Sequence, residues 1–251
     1  MVYVSGDESS GKAVIIAPDV CGWNGGRTRA IADLLASSGY YVVVLKVLDP
    51  PFEGGTDGDG LPPDFDMGTR EREFLDWIKT ITCHEIAPKL SAILSEVQGK
   101  RVGMLVRAKI VSQYHSMPCS LIAACYQGFC WGAWVCAKTS AELSEAVEVC
   151  VCAHPSIQIE GAYGGDPVTL AGAVRCPFHF LPAGNDAKNM YSEEEGGIFL
   201  AIKQKHSESS TTYFEDMQHG FVSRGDTSDP KISKDVSVAV KKIQDLFAVL
   251  G

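Results

Sequence analysis

A cysteine stands between two glycines in the run Gly128-Phe129-Cys130-Trp131-Gly132, which has the spacing of a nucleophile elbow. In an elbow a strand turns sharply into a helix, so that the nucleophile stands above the sheet. The backbone is crowded at this turn, which is why glycine is needed two residues to either side. The partial positive charge at the helix N-terminus favours a thiolate over a thiol. The run therefore predicts a thiolate nucleophile at Cys130.

A thiol nucleophile needs a base to take its proton and an acid to orient that base. Asp186 lies in a turn after the predicted strand at 178–183, and His219 lies in a polar loop after the predicted strand at 211–214. The order nucleophile, acid, histidine is that of α/β-hydrolases. Each alone is typical of turn or loop chemistry, but together they predict the triad. His154 also follows a predicted strand and is a candidate for bordering the site.

The elements that must position these residues read as alternating strands and helices. Apolar runs without polar alternation predict strands at 13–18, 40–48, 100–105, 147–153, 178–183 and 211–214. Helical spacing predicts helices over about 28–39, 74–99 and 236–250, and a further helix that begins at about residue 131. This pattern predicts a mostly parallel central sheet with helices on both faces, in one α/β domain over residues 1–251. Residues 49–68 are predicted to be a flexible surface loop that rims the site.

Composition limits the partners and the compartment. The net charge of −9 argues against nucleic acid or an anionic membrane surface as the main partner. No run of eighteen apolar residues is present, and the N-terminus does not resemble a signal peptide. We therefore expect a cytoplasmic protein, monomer or homodimer, without a membrane or nucleic-acid partner. The nine cysteines are predicted to be reduced, mostly buried thiols, and their spacing does not predict a metal site or another cofactor.

The chain resembles the dienelactone hydrolase family, which contains the carboxymethylenebutenolidases. The resemblance runs from about residue 13 to 250, with one interruption. Its segments are Pro18-Asp19-Val20-Cys21-Gly22-Trp23, Thr28-Arg29-Ala30-Ile31-Ala32-Asp33, the elbow run, Asn185-Asp186 and His219-Gly220-Phe221. The resemblance implies an α/β-hydrolase fold and hydrolysis of a small ester or lactone without a cofactor.

The resemblance also implies roles for individual residues. Cys130 would be the nucleophile, His219 the base and Asp186 its orienting acid. Backbone N–H groups of Val20 and Trp131 would form the oxyanion hole.

Two further residues are candidates for contacts in this site. Asp19 occupies a position near the resting cysteine where the bacterial lactonases carry the longer glutamate. Arg224 is a candidate partner for a substrate carboxylate, and an exposed structural arginine is the alternative.

Residues 106–127 interrupt the resemblance directly before the elbow. Without them, the predicted strand at 101–105 would run straight into Gly128. The block begins with valine, whose codons start with GT, and ends with glutamine, which CAG encodes; these are the ends of a eukaryotic intron. It is therefore either a retained intron translated in frame or a genuine loop. Transcripts that all contain the block would exclude the first alternative.

The interruption leaves open which segment forms the strand before the elbow. Residues 120–125 are apolar enough to replace 101–106 in the sheet, or the block bulges out beside the nucleophile. Either arrangement threatens the placement of Cys130. The alternative to an active cysteine hydrolase is thus a catalytically impaired hydrolase-like protein. A third interpretation is a redox-responsive thiol protein, with Cys136 as the resolving cysteine.

Overall fold

The computed structural model describes residues 2–99, 124–143 and 147–248, which fold around a seven-stranded sheet. The strands β1 to β7 are, in chain order, Val2–Ser5, Ala13–Ala17, Tyr41–Leu45, Ala124–Phe129, Val147–Ala153, Phe178–Leu181 and Ser210–Thr211. Their order across the sheet is β1-β3-β2-β4-β5-β6-β7. Among the described strands, only β1 pairs antiparallel, with β3, and the other pairings are parallel. The mostly parallel sheet predicted from the sequence is confirmed.

Helices cover both faces of this sheet. The helices α1 to α9 are Thr28–Ser37, Glu71–Ile78, Cys83–Gly99, Trp131–Lys138, Pro167–Ala173, Lys188–Tyr191, Gly197–Lys203, Phe221–Arg224 and Pro230–Ala248. Successive side chains of a strand point to opposite faces of the sheet, so neighbouring strand residues pack in different cores. Ile15 packs in the core with α2 to α5 and α7, whereas Val14 and Ile16 pack in the core with α1, α8 and α9. Among the described residues, no helix combines the length and hydropathy needed to cross a bilayer.

The structure departs from the elements expected from the sequence at two places. The helix expected over 74–99 is divided into α2 and α3, with hydrogen-bonded turns between them. Ile81 lies in this break and is fully buried, so apolar spacing continues where the helix does not. The edge strand β1 was not predicted. It is held by its pairing with β3, which a short and half-buried segment does not reveal in its own sequence.

The strand that leads into the elbow is β4, Ala124–Phe129, and it pairs with β2 and β5 at the centre of the sheet. Residues 124–127, the end of the interrupting block, therefore supply most of this strand. The predicted strand at 101–105 and the rest of the block lie outside the described residues. The sheet position before the elbow is thus filled by the end of the block, beginning where the expected replacement strand at 120–125 ends.

Gln127 is a poor fit for this central position. Its side chain is fully buried, and its Oε1 has no hydrogen-bond partner among the described residues. Its Nε2 donates only a long bond of 3.4 Å to the carbonyl of Gly128. An unsatisfied buried carbonyl oxygen costs about 1–3 kcal/mol. The strand before the elbow therefore carries a local conflict between its sequence and its surroundings.

We expect Gln127→Leu to raise the free energy of unfolding by about 1 kcal/mol, because it removes an unsatisfied buried oxygen at nearly constant volume. Urea denaturation of the purified protein measures the change. Gln204→Leu, at an exposed position, is the matched control and is expected to change the free energy of unfolding little. A lower denaturation midpoint for Gln127→Leu would show that the amide is satisfied in solution.

Candidate active site

The elbow at Cys130 is tightly packed, and there is no room for a side chain at the glycines on either side of the cysteine. Cys130 has φ 52° and ψ −116°, a strained conformation for a residue with a side chain, directly between β4 and α4. A Cβ at Gly128 would lie 2.7 Å from the backbone nitrogen of Ala133, and one at Gly132 would lie 2.1 Å from the carbonyl oxygen of Ala17. Glycine is therefore required at both positions. This arrangement sets the Cys130 side chain at the carboxyl edge of the sheet.

Asp186 and His219 meet at the same edge. Oδ1 of Asp186 lies 2.6 Å from Nδ1 of His219, and its Oδ2 accepts a hydrogen bond of 2.8 Å from the backbone N–H of Ala183. Asn185 adds a support that the sequence did not reveal, because its Oδ1 accepts a 2.7 Å bond from the backbone N–H of His219. With Nδ1 held by the carboxylate, Nε2 is the nitrogen left for a reacting group. The acid and the base expected from the sequence are thus in contact.

The pKa values of Cys130 and His219 shift toward a charged pair. Burial raises the pKa of the Cys130 thiol, but the charge and the hydrogen bond of His219 outweigh it and lower the pKa from 9.0. Burial lowers the pKa of His219, but the Cys130 charge and the hydrogen bonds to Asp186 and Cys130 raise it to about 10. Both shifts favour a thiolate and an imidazolium ion over a neutral thiol and a neutral ring. A thiolate is the nucleophilic form of cysteine.

Ser156 touches the nucleophile, and the sequence analysis missed it. Its Oγ lies 3.6 Å from Sγ of Cys130, and its backbone N–H donates a 3.0 Å bond to the Cys130 carbonyl. The hydroxyl also helps to lower the pKa of the Cys130 thiol. The sequence could have indicated Ser156 by its position shortly after the strand β5, at the sheet edge where the other site residues lie.

His154 packs behind the base instead of bordering the substrate space. Its ring is fully buried, stacks on Phe129 at 5.9 Å and meets the His219 ring edge-on at 5.1 Å between centroids. Neither ring nitrogen has a hydrogen-bond partner among the described residues. Burial, together with the charges of His219 and Arg224, holds the pKa of His154 well below 6.5. A neutral ring therefore supports His219 at neutral pH.

Asp19 is fully buried and is held by three donors. Its Oδ1 accepts a 2.8 Å bond from the N–H of Cys21, and its Oδ2 accepts bonds of 2.7 Å from Ser223 Oγ and 3.0 Å from Arg224 Nε. Burial opposes the charge of Arg224, but the Asp19 carboxylate raises the pKa of the guanidinium. Asp19 acts on the Cys130 thiol through its charge, which raises the thiol pKa. The hydrogen bonds of its carboxylate lead to Cys21, Ser223 and Arg224.

A cavity of about 550 Å³ opens over Cys130 and His219. Val20 and Trp131, the expected oxyanion-hole residues, also line it, and Trp131 begins α4, where an N–H group has no partner within the helix. The loop at 49–68 contributes part of the wall, as predicted. The loop residues that line the cavity are Leu61, Pro62, Pro63, Phe65 and Met67. Arg224 reaches the same cavity.

A buried carboxylate anchors this loop. Asp59 is fully buried, and its two oxygens accept bonds of 2.8 Å from the N–H of Trp23 and 2.9 Å from the N–H of Leu48. Burial is the main cause that raises the pKa of Asp59 to about 6. The backbone N–H of Leu61 then donates a 2.8 Å bond to the carbonyl of Val20. These contacts tie the cavity wall to the segment that carries the expected oxyanion-hole residue.

Of the remaining described thiols, only that of Cys21 shares the cavity with Cys130, and burial raises its pKa to about 12. The eight described cysteines are free, and all except Cys83 are buried. Cys136, the candidate resolving cysteine, is fully buried in one core with Cys150 and Cys152, to which it is hydrogen-bonded. The cysteine count is thus explained mainly by core packing, as expected from the sequence.

Comparison with known proteins adds the following similarities. The sequence model of the dienelactone hydrolase family matches residues 1–250. The carboxymethylenebutenolidase homolog of Rattus norvegicus is 26% identical over 220 residues, covering 86% of this chain and 72% of that protein. The Homo sapiens homolog is 29% identical over 123 residues, 49% of this chain, and the match spans only 38% of that protein. The crystal structure of the dienelactone hydrolase from Anabaena variabilis, 13% identical, has a TM-score of 0.54, covering 96% of this chain and 88% of that one, and shows the shared fold.

Proposed function

Since the chain belongs to the dienelactone hydrolase family, we propose that it hydrolyses small lactones or activated esters by cysteine catalysis. The proposed triad is Cys130, His219 and Asp186, and the intermediate is a thioester. The observation that carries the proposal is the convergence of the three side chains at one sheet edge, with Cys130 and His219 both facing the same cavity. A thiolate next to an imidazolium is the resting form of an activated cysteine nucleophile.

Acylation begins with attack of the Cys130 thiolate on the carbonyl carbon of the substrate. The carbonyl π electrons move to oxygen, and the N–H groups of Val20 and Trp131 are the proposed donors to that oxyanion. When the oxyanion collapses, the C–O bond to the leaving group breaks, and Nε2 of His219 donates its proton to the departing oxygen. The thioester and a neutral His219 remain. A lactone opens at this step, and an ester releases its alcohol.

Deacylation needs His219 as a base. The Cys130 charge is one of the groups that raise the pKa of His219 to about 10. In the thioester this charge is gone, so the pKa of His219 falls, which favours the neutral ring after it has given up its proton. Nε2 then takes a proton from water, the hydroxide adds to the thioester carbon, and the C–S bond breaks to release the carboxylic acid. Asp186 holds the ring in place throughout.

The experiment is acylation of the full chain by 4-nitrophenyl acetate, followed by mass spectrometry of its peptides. We expect the acetyl group on Cys130 and not on Cys83, because burial and the Glu142 charge raise the pKa of Cys83 to about 11. Since the Cys130 pKa is lowered, its acylation rate is expected to rise with pH to a plateau below pH 9.0. An acetyl group that is found on Cys83 and not on Cys130, or no release of 4-nitrophenol, would contradict the proposal. The second outcome would favour the catalytically impaired protein.

A further inference from the structure

We propose that Ser156 is a further catalytic residue of this site, whose hydroxyl donates a hydrogen bond to the Cys130 sulfur whenever that sulfur carries a negative charge. The inference rests on the proposed function and adds a fourth side chain to the proposed triad. Oγ of Ser156 lies 3.6 Å from Sγ of Cys130, and both residues line the cavity of about 550 Å³. A thiolate has no proton to donate, so the hydroxyl is the donor in this contact.

The hydroxyl of Ser156 does not cap a helix, although its position would allow it. Ser156 directly precedes the short 3₁₀ helix Ile157–Tyr163, and a serine at such a position commonly accepts a bond from a backbone N–H of the first turn. Ser156 forms no such bond. The N–H of Ile157 instead donates a 2.9 Å bond to Tyr191 Oη, and the N–H of Ile159 donates a 3.2 Å bond to the Ser156 carbonyl. The hydroxyl is therefore free to bind the sulfur, which is its partner among the described residues.

The backbone places this hydroxyl without help from the serine side chain. The N–H of Ser156 donates a 3.0 Å bond to the Cys130 carbonyl, and the N–H of His154 donates a 2.9 Å bond to the Leu181 carbonyl. His154 has φ 39°, an uncommon value for a residue with a side chain, so the chain turns sharply at the end of β5. Because these bonds join main-chain atoms, they remain when alanine replaces Ser156.

Asp19, the acid expected near the resting cysteine, does not take this place. Its carboxylate accepts hydrogen bonds from Cys21, Ser223 and Arg224. The charge of Asp19 raises the pKa of the nucleophilic thiol, whereas the hydrogen bond from Ser156 lowers it. A neutral donor is thus the group that stabilises the sulfur as an anion on this side of the cavity.

The departure of sulfur from the thioester is the step in which this bond matters most. Once His219 has taken a proton from water, its Nε2–H is directed to the oxygen that came from the water. When the C–S bond breaks, its electron pair goes to Sγ of Cys130, and the Ser156 hydroxyl donates to the developing thiolate while keeping its own proton. In acylation the attacking sulfur loses its charge, which weakens the same bond. Loss of the hydroxyl should therefore slow deacylation and should not slow attack by a fully formed thiolate.

The test measures the two steps separately in Ser156→Ala, at a pH where Cys130 is fully ionised in both proteins. We expect acylation by 4-nitrophenyl acetate to keep at least about half the wild-type rate. The acetyl group should leave Cys130 at least about fivefold more slowly, because the lost hydrogen bond is one to a charged group. Release of 4-nitrophenol in the first turnover measures acylation, and mass spectrometry of the Cys130 peptide over time measures deacylation. An unchanged deacylation rate, or an equal slowing of both steps, would overturn the inference.

A second measurement does not depend on hydrolysis. The rate at which iodoacetamide alkylates Cys130 follows the thiolate fraction. We expect the midpoint of its pH profile to lie about 0.5–1 pH unit higher in Ser156→Ala, because the hydroxyl stabilises only the charged form. If wild type hydrolyses no ester, the proposed function fails and this profile alone decides. A midpoint that rises would then support the inference, and an unchanged midpoint would overturn it.

Two further variants separate the hydroxyl from the packing of the side chain. Ser156→Thr keeps a hydroxyl and should return the deacylation rate and the alkylation midpoint toward those of wild type. Ser192→Ala removes the hydroxyl of another buried serine, outside the lining of the cavity. It is the matched control and is expected to change neither quantity.

Discussion

Cys130→Ala is expected to lower kcat/KM for 4-nitrophenyl acetate by at least about 10⁴-fold, since removal of a nucleophile leaves only binding and oxyanion stabilisation. The lost sulfur is the atom next to His219 and Ser156, and alanine offers no group that can form an acyl intermediate. The fold should survive, because Cys130 is small and its strained backbone is set by the glycines around it. Initial rates of 4-nitrophenol release measure the effect, and circular dichroism confirms that the variant is folded.

Cys83→Ala is the matched control for this variant. Cys83 is the one described cysteine that is half-buried, and it lies outside the lining of the cavity. Its loss should leave kcat/KM within about twofold of wild type, as is usual for a substitution away from the reacting groups. Cys130→Ser should remain far below wild type, since the serine hydroxyl is not ionised by a neighbouring histidine. More than a tenth of wild-type activity in Cys130→Ala would place the nucleophile elsewhere.

Gly132→Ala is expected to lower the free energy of unfolding by about 3 kcal/mol, at the upper end of overpacking costs. An added Cβ would lie 2.1 Å from the Ala17 carbonyl oxygen and 2.8 Å from that of Pro18, and both are backbone atoms at the end of β2. The elbow and this segment must therefore move apart. Val20 follows directly on the same segment, so the expected oxyanion donors also separate. Activity should fall together with stability, and urea denaturation and initial rates measure the two effects.

Gly172→Ala is the control for that substitution. Gly172 lies in α5, and a Cβ there would have no atom within 4 Å. Because glycine weakens a helix interior relative to alanine, we expect a gain of about 0.5–1 kcal/mol in stability and unchanged activity. If Gly132→Ala unfolds at the same urea concentration as wild type, the elbow is less crowded than the structure indicates.

The features that the sequence predicted are those that depend on neighbouring residues. Buried parallel strands need continuous apolar runs, and this requirement identified β2, β3, β5 and β6 before any tertiary contact was known. The elbow needs glycine on both sides of the nucleophile for reasons confined to a few residues, so Gly128 and Gly132 marked it. Asp186 and His219 follow successive strands of a parallel sheet, whose carboxyl ends share one edge. Their contact was therefore predictable.

Only the tertiary structure decided which distant groups became partners. Asp19 is paired with Arg224 and Ser223 about two hundred positions away. His154 lies behind His219 and not in the cavity, Ser156 reaches the nucleophile, and Asp59 anchors the loop at 49–68. None of these contacts has a local signature, because each residue would be equally suitable in a solvated loop. The sequence specifies which groups are present and at which sheet edge, while long-range packing determines which buried charges neutralise one another.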